Sequence, residues 1–321
     1  MKYGVIIYKD SKNIGDDIQS VAAARLLPQV DYYLDREHLD SVDLQEDVKV
    51  LFNGWFMEHC QNWPPHPRIK PLITSVHLTT KRGCRTALTS EKYHEYYESV
   101  GPIGCRDRGT LEAFQSQGVA SYYSGCLTLT LKNSPDVARS DKIYLVDPFT
   151  KIDEQHYKDQ FIQKFMPRSQ QGNIEVISHQ LEDLPNMSMD ARMKQASELL
   201  DKYAKAKLVI TSRIHCALPC IALGTPVYFV DVGYDREGSR DRFDGILDYM
   251  RLIPPKYFPF SSRTKVGKIM RKLRLYSLIP DGKNIDFIDW DNPKPNPNYP
   301  GDLIKAHLKR VHQFLERKTD V

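Results

Sequence analysis

The chain has no Cys-x-x-Cys pair and no His-x-x-x-His partner for one. Its six cysteines, at positions 60, 84, 105, 126, 216 and 220, are scattered. That spacing excludes the usual zinc and iron-sulfur patterns, so buried free thiols and no metal are expected. Long apolar runs are missing as well. The longest, "LVITSRIHCALPCIALGTPVYFV" at 208–230, is interrupted by Pro219, Gly224 and Pro226 and falls short of a membrane span. The first ten residues, "MKYGVIIYKD", reach Lys9 and Asp10 too soon to form the core of a signal peptide. Neither a Gly-x-Gly-x-x-Gly loop nor a Walker lysine is present, and no cofactor is expected. Charge of one sign is scarce too: 45 Lys and Arg against 41 Asp and Glu leave a net charge of +4, too little for a protein that coats nucleic acid. Together these absences lead to a cytoplasmic, soluble reading.

What is present is alternation. In 321 residues, 41% of them hydrophobic, there is material for two moderate cores. Strand-like runs "YGVIIY" (3–8), "VKVLF" (48–52) and "PLITSV" (71–76) alternate with helical patterns such as "DDIQSVAAARLL" (16–27). Asp107 and Gly118 bracket a further helix, and "LTLTL" (127–131) reads as a strand. After the polar, proline-containing "KNSPDVARSD" (132–141) a second block begins: "KIYLVD" (142–147), a helical pattern near 155–166, "IEVIS" (174–178), a helix over 190–206, "KLVIT" (207–211) and "PVYFV" (226–230). This pattern predicts an α/β chain of two Rossmann-like domains facing across a cleft, 1–138 and 139–285. The segment 286–321 forms an arm and a helix that packs back on the body. No repeat or low-complexity tract occurs.

In open α/β sheets ligands bind at the carboxyl ends of strands, so the turns that follow strands carry the chemistry. Three stand out. In "TSRIHC" (211–216) Ser212 is placed to cap a helix, leaving Arg213 and His215 beside free backbone N–H groups suited to an anion. A lone Arg-x-His also fits a structural ion pair beside a satisfied histidine. In "GCRDRG" (104–109) Arg106 precedes a capping Asp107 and projects into the same kind of cleft, while Arg108 faces solvent. Two guanidinium groups favour a small dianionic ligand, carboxylate or phosphate. In "KDSKNIGDD" (9–17) Gly15 permits a tight path, and Asn13, Asp16 and Asp17 offer acceptors, one of which is needed only to cap the helix. Asn53 in "LFNGW" and His77 in "SVHLTT" also follow apolar strands and are weaker candidates for the same side.

The combination of "NIGDD", "GCRDRGTLEAFQSQGV" and "ASELLDKYAKAKLVITSRIHCALPCIALGTPVYFV", in that order and spacing, resembles the polysaccharide pyruvyl transferases over about residues 3–250. The chain departs from that pattern at "SGCLTLTL" (124–131), where members often carry an acidic residue and a proline. The resemblance implies a fold similar to the two-lobed B-type glycosyltransferases. It also implies transfer of a pyruvyl group from phosphoenolpyruvate to sugar hydroxyls, giving a ketal. On this reading His215 is the general acid and Arg213, Arg106 and Ser212 bind the donor. Asn13, Asp16, Asp17, Asn53 and His77 are then candidates for the acceptor, a sugar or a lipid-linked glycan.

Two rival functions fit the residues: a B-type glycosyltransferase with a nucleotide-sugar donor, and a non-catalytic glycan- or anion-binding protein. Residues 263–276, "RTKVGKIMRKLRLY", are basic with apolar residues at helical spacing. The stretch suits either peripheral contact with an anionic bilayer at the inner face of the membrane or a solvated helix covering the cleft.

Overall fold

The computed structural model describes residues 1–133, 137–149, 158–159, 161–232, 240–254, 269 and 287–317. It contains two wholly parallel sheets. The first is formed by β1 (Lys2–Ile7), β2 (Tyr32–Asp35), β3 (Val48–Phe56), β4 (Ile69–Leu78), β5 (Ile103–Cys105) and β6 (Ser121–Tyr123) in the order β2-β1-β3-β4-β5-β6. The second is formed by β7 (Ile143–Val146), β8 (Ile174–Ile177), β9 (Leu208–Thr211), β10 (Val227–Val230) and β11 (Arg251–Ile253) in the order β11-β10-β9-β7-β8. The central strands are apolar because both faces are covered: Val48, Val50, Leu51 and Phe52 in β3, and Leu208, Val209 and Ile210 in β9, are all fully buried.

The two sheets share one winding. In each, the second strand lies outside the first and the third lies on its other side, so connections diverge between β1 and β3 and between β7 and β9. Those are the switch points at which parallel sheets open a crevice beyond their carboxyl ends.

Helices tie the sheets together. Asn13 caps α1 (Ile14–Ala24) by accepting the Gly15 N–H at 3.2 Å. The apolar face of α1, Ile14, Ile18, Val21 and Ala22, joins one core with Leu199 and Leu200 of a long helix (Met189–Lys205) and Cys216 and Ala217 of the helix after β9. Among the described residues the further α-helices of eight or more residues are, in chain order, α2 (Arg108–Gln115), capped by Asp107, then α3 (Met189–Lys205), α4 (Ile214–Ala222) and α5 (Gly301–Glu316). From α3 the Arg192 guanidinium reaches Asp17 of α1 at 3.0 and 3.1 Å and the backbone carbonyls of Tyr8 and Lys9. The terminal helix α5 returns to the first sheet. Its Val311 packs with Val5, Ile7 and Leu51, His307 meets the Thr74 hydroxyl at 2.9 Å, and Lys49 donates to the carbonyls of Phe314 and Leu315 at its end.

Some local expectations fail for identifiable reasons. "LTLTL" is not a strand: Leu127–Thr130 is a buried 3-10 turn, with Thr130 Oγ1 donating to the Leu127 carbonyl, and all four residues are buried rather than alternating. Ser212 does not cap α4, because its hydroxyl donates to the Asp147 carbonyl at 2.6 Å; Arg213 takes the N-cap position. Pro219 sits inside α4, which runs on from Ile214 to Ala222. Without an N–H it leaves the His215 carbonyl unserved from within the helix. The pattern near 155–166 survives as a π-helical segment at Phe161–Phe165; of the residues before it only 158–159, also helical, are described. Apart from residue 269, the basic stretch 263–276 also lies outside the described residues.

Candidate active site

The carboxyl ends of both sheets open on one cavity of about 730 Å³. Tyr8, Lys9, Asp10 and Ser11 line it after β1, Trp55 and Glu58 at the end of β3, and Arg106 after β5. From the second sheet come Ser212, Arg213, Ile214 and His215 after β9, with His179 and Gln180 after β8. Arg242, in a 3-10 turn at Asp241–Phe243, and Arg36 bring the guanidinium groups of the wall to four.

Arg213 is aimed by Asp147, the residue that follows β7. Its Nε donates to Asp147 Oδ2 at 2.8 Å; the same oxygen accepts the His179 backbone N–H at 2.9 Å. Asp147 has φ +39, a left-handed backbone that aspartate tolerates better than most residues. It thus anchors the Arg213 head and the Ser212 hydroxyl together. Asp147 was legible in principle, since it ends "KIYLVD" at the carboxyl end of a strand, the criterion applied to the other turns.

Arg106 is 1% exposed, and its Nε and one terminal nitrogen have no hydrogen-bond partner; the nearest carboxylate, Asp107, stands 3.9 Å from Nε. Donors of a buried cation are costly to leave unmatched. His215 lies 8% exposed with Nε2 likewise unpartnered. Burial, then Arg106, Arg242, His179 and Arg213, hold its pKa well below the ordinary histidine value. The imidazole is neutral near pH 7 in the free protein.

Of the residues read as acceptor candidates, Asn13 and Asp16 line the cavity. Asp16 accepts the Ser11 hydroxyl at 2.6 Å and the Gln19 amide at 3.3 Å. Asp17, Asn53 and His77 do not line it. Asp17 is fully buried against Arg192, and the Asn53 amide donates to the Gln19 carbonyl at 3.0 Å. His77 Nδ1 meets Asp107 at 2.7 Å while its ring edge packs on Trp55, with centroids 5.0 Å apart. Arg108, placed in solvent by the sequence, is half exposed and pairs with Asp244 and Asp248. Sequence reasoning missed Arg242, His179, Tyr8 and Trp55. Arg242 lies in "RDRFDG", which no strand end marks.

Two parallel sheets whose strand ends share one cavity, walled by arginines and an unpartnered histidine, define an α/β protein with its candidate site at those strand ends. Residues 13–234 match the model of the polysaccharide pyruvyl transferase family, and the chain belongs to that family, so it is a transferase. No curated protein matches its sequence. Among solved structures it is similar to a functionally uncharacterized protein of Klebsiella pneumoniae subsp. pneumoniae NTUH-K2044, at 16% identity and TM-score 0.38, over 74% of this chain and 87% of that one. It is also similar to ADP-heptose LPS heptosyltransferase II of E. coli, at 12% identity and TM-score 0.27, over 72% and 84%.

Proposed function

We propose that the protein transfers a pyruvyl group from phosphoenolpyruvate to two hydroxyls of a cytoplasmic sugar or glycan precursor, leaving a pyruvate ketal and inorganic phosphate. The residues before about 138 form the acceptor side and those after it the donor side of a cleft between two Rossmann-like domains. The observation that carries this reading is the meeting of Arg106, with unmatched donors, Arg213, fixed by Asp147, and the unpartnered His215 Nε2 in one cavity. Phosphoenolpyruvate carries a phosphate and a carboxylate on three carbons, a size and charge that two guanidinium groups can hold.

Burial and, after it, the neighbouring arginines keep His215 neutral in the free protein, and the arginines' share makes its charge depend on the donor. A bound anion offsets their field, His215 gains a proton, and the imidazolium becomes a competent acid beside the methylene carbon. His215 gives that proton to the methylene carbon while the first sugar hydroxyl attacks the adjacent carbon. The second hydroxyl then attacks the same carbon, the bond to the phosphate oxygen breaks, and phosphate leaves with the electron pair. One hydroxyl proton replaces that lost by His215 and the other leaves on phosphate. Asn13 and Asp16 hold the hydroxyls. A donor screen tests the reading: phosphate released from phosphoenolpyruvate supports it, and nucleotide released from sugar nucleotides with phosphoenolpyruvate inert overturns it.

A further inference from the structure

The cavity is larger than a three-carbon donor needs, and the part of its wall around Tyr8 and Trp55 has its own chemistry. Two tyrosine or tryptophan rings, Tyr8 and Trp55, line it. Tyr8 is buried, with the Arg36 guanidinium 4.8 Å from its ring centre and its hydroxyl committed to the Asn53 carbonyl at 3.1 Å. Trp55 is different. It is half-buried, the penultimate residue of β3, and the exposed Lys81 holds Nζ 5.3 Å from its ring centre.

The indole is held from behind. His77 packs against it edge-on, and His77 is fixed by Asp107, which also caps α2. The Trp55 carbonyl accepts from Arg36 at 3.0 Å, and Glu37, paired with Arg36, accepts the backbone N–H groups of Glu58 and His59 in the following loop. A rigidly backed indole in a wall otherwise made of charged and polar groups is a surface for a ligand with one apolar face and a polar edge. A pyranose has that form: its axial C–H bonds make a flat face that packs on an aromatic ring, and its hydroxyls point outward in the ring plane. Carboxylates of Asp16 and Glu58 line the same cavity and can accept from such hydroxyls.

We propose that Trp55 is the platform for the acceptor pyranose, with His77 as the positioning residue behind it. This rests on the pyruvyl-transfer reading of the same cavity. The sugar packs one C–H face on the indole, takes the place of the Lys81 ammonium, and turns its hydroxyl edge toward the donor end. Arg242, 5.9 Å from the Trp55 ring centre, lies where the two ends meet.

The test uses the full chain with phosphoenolpyruvate and a panel of p-nitrophenyl pyranosides, reading phosphate release and tryptophan fluorescence. Trp55→Leu is expected to raise the glycoside KM at least about tenfold and leave the phosphoenolpyruvate KM within about twofold, while Trp55→Phe restores most of the loss. Wild-type fluorescence should change on titration with the active glycoside, and the change should vanish in Trp55→Phe. An unchanged glycoside KM in Trp55→Leu, an equal rise in both KM values, or indole emission unmoved by every glycoside overturns the platform. These results leave the pyruvyl-transfer reading intact so long as wild type releases phosphate; wild type inert toward phosphoenolpyruvate overturns that reading itself.

Discussion

Arg213 Nε and Asp147 Oδ2 stand 2.8 Å apart, joining the second residue after β9 to the residue after β7 across the switch point of the second sheet. The pair gives the guanidinium one orientation, with its remaining donors turned to the cavity. Asp147→Asn keeps the size and the Ser212 contact but removes the charge. The KM for phosphoenolpyruvate should rise about tenfold, in line with loss of one charge-assisted hydrogen bond, with a smaller change in kcat. Steady-state kinetics at varied donor check this.

Gly15 lies where α1 meets the two cavity histidines. A Cβ there would stand 2.9 Å from His179 Nδ1 and 3.2 Å from His215 Cβ, and His179 cannot easily retreat because Tyr203 holds its Nε2 at 2.7 Å. Alanine is the better helix former by up to about 1 kcal/mol, which offsets part of the cost of this crowding, so Gly15→Ala should lose no more than about 2 kcal/mol of stability. Activity should nonetheless fall at least about tenfold, because a shifted imidazole leaves the geometry that proton transfer needs. Thermal melts and turnover measured on one preparation separate the two effects.

Asp17 and Arg192 form a buried pair, 0% and 1% exposed at their side chains, linking α1 to α3. Removing one partner leaves the other charged and uncompensated. Asp17→Ala should lower stability by roughly 3–5 kcal/mol in urea unfolding. An effect on acceptor KM without that loss would return Asp17 to the acceptor side.

His307 carries a pH-dependent part of the stability. Burial holds its pKa at about 4, against an ordinary 6.5. As pH falls below 6.5 the unfolded chain binds a proton that the folded chain refuses until about pH 4, so stability drops across that window and is flat above it. A shift of this size corresponds to about 3 kcal/mol. His307→Gln should remove that share of the slope, seen as the difference between wild-type and variant unfolding curves at pH 7 and near pH 4.

Much of the fold was legible because parallel strands covered on both faces are short apolar runs, and those at 3–8, 48–52, 142–147 and 207–211 match β1, β3, β7 and β9. "LTLTL" misled because alternation of Leu and Thr looks the same whether the threonines face solvent or bond their own backbone, as Thr130 does. The strand-end rule found Arg106, Arg213 and His215, which the structure gathers in one cavity. It could not separate Asp16 from Asp17, since adjacent residues at a helix start point to different neighbours: one faces the cavity, the other Arg192. Arg242 was hidden because no strand end marks it, whereas Trp55 stands in "LFNGW", where the strand-end rule pointed to the polar Asn53 and passed over the ring that lines the cavity.

The central claim is that the donor anion charges His215. Calorimetric titration of phosphoenolpyruvate near neutral pH, in buffers of different ionisation enthalpy, counts protons taken up on binding, and His215→Gln subtracts the donor's own contribution. Wild type should take up close to one proton more than the variant and bind more tightly as pH falls toward the ordinary histidine range. Equal proton uptake by the two proteins, or no binding of phosphoenolpyruvate by wild type, would contradict the account.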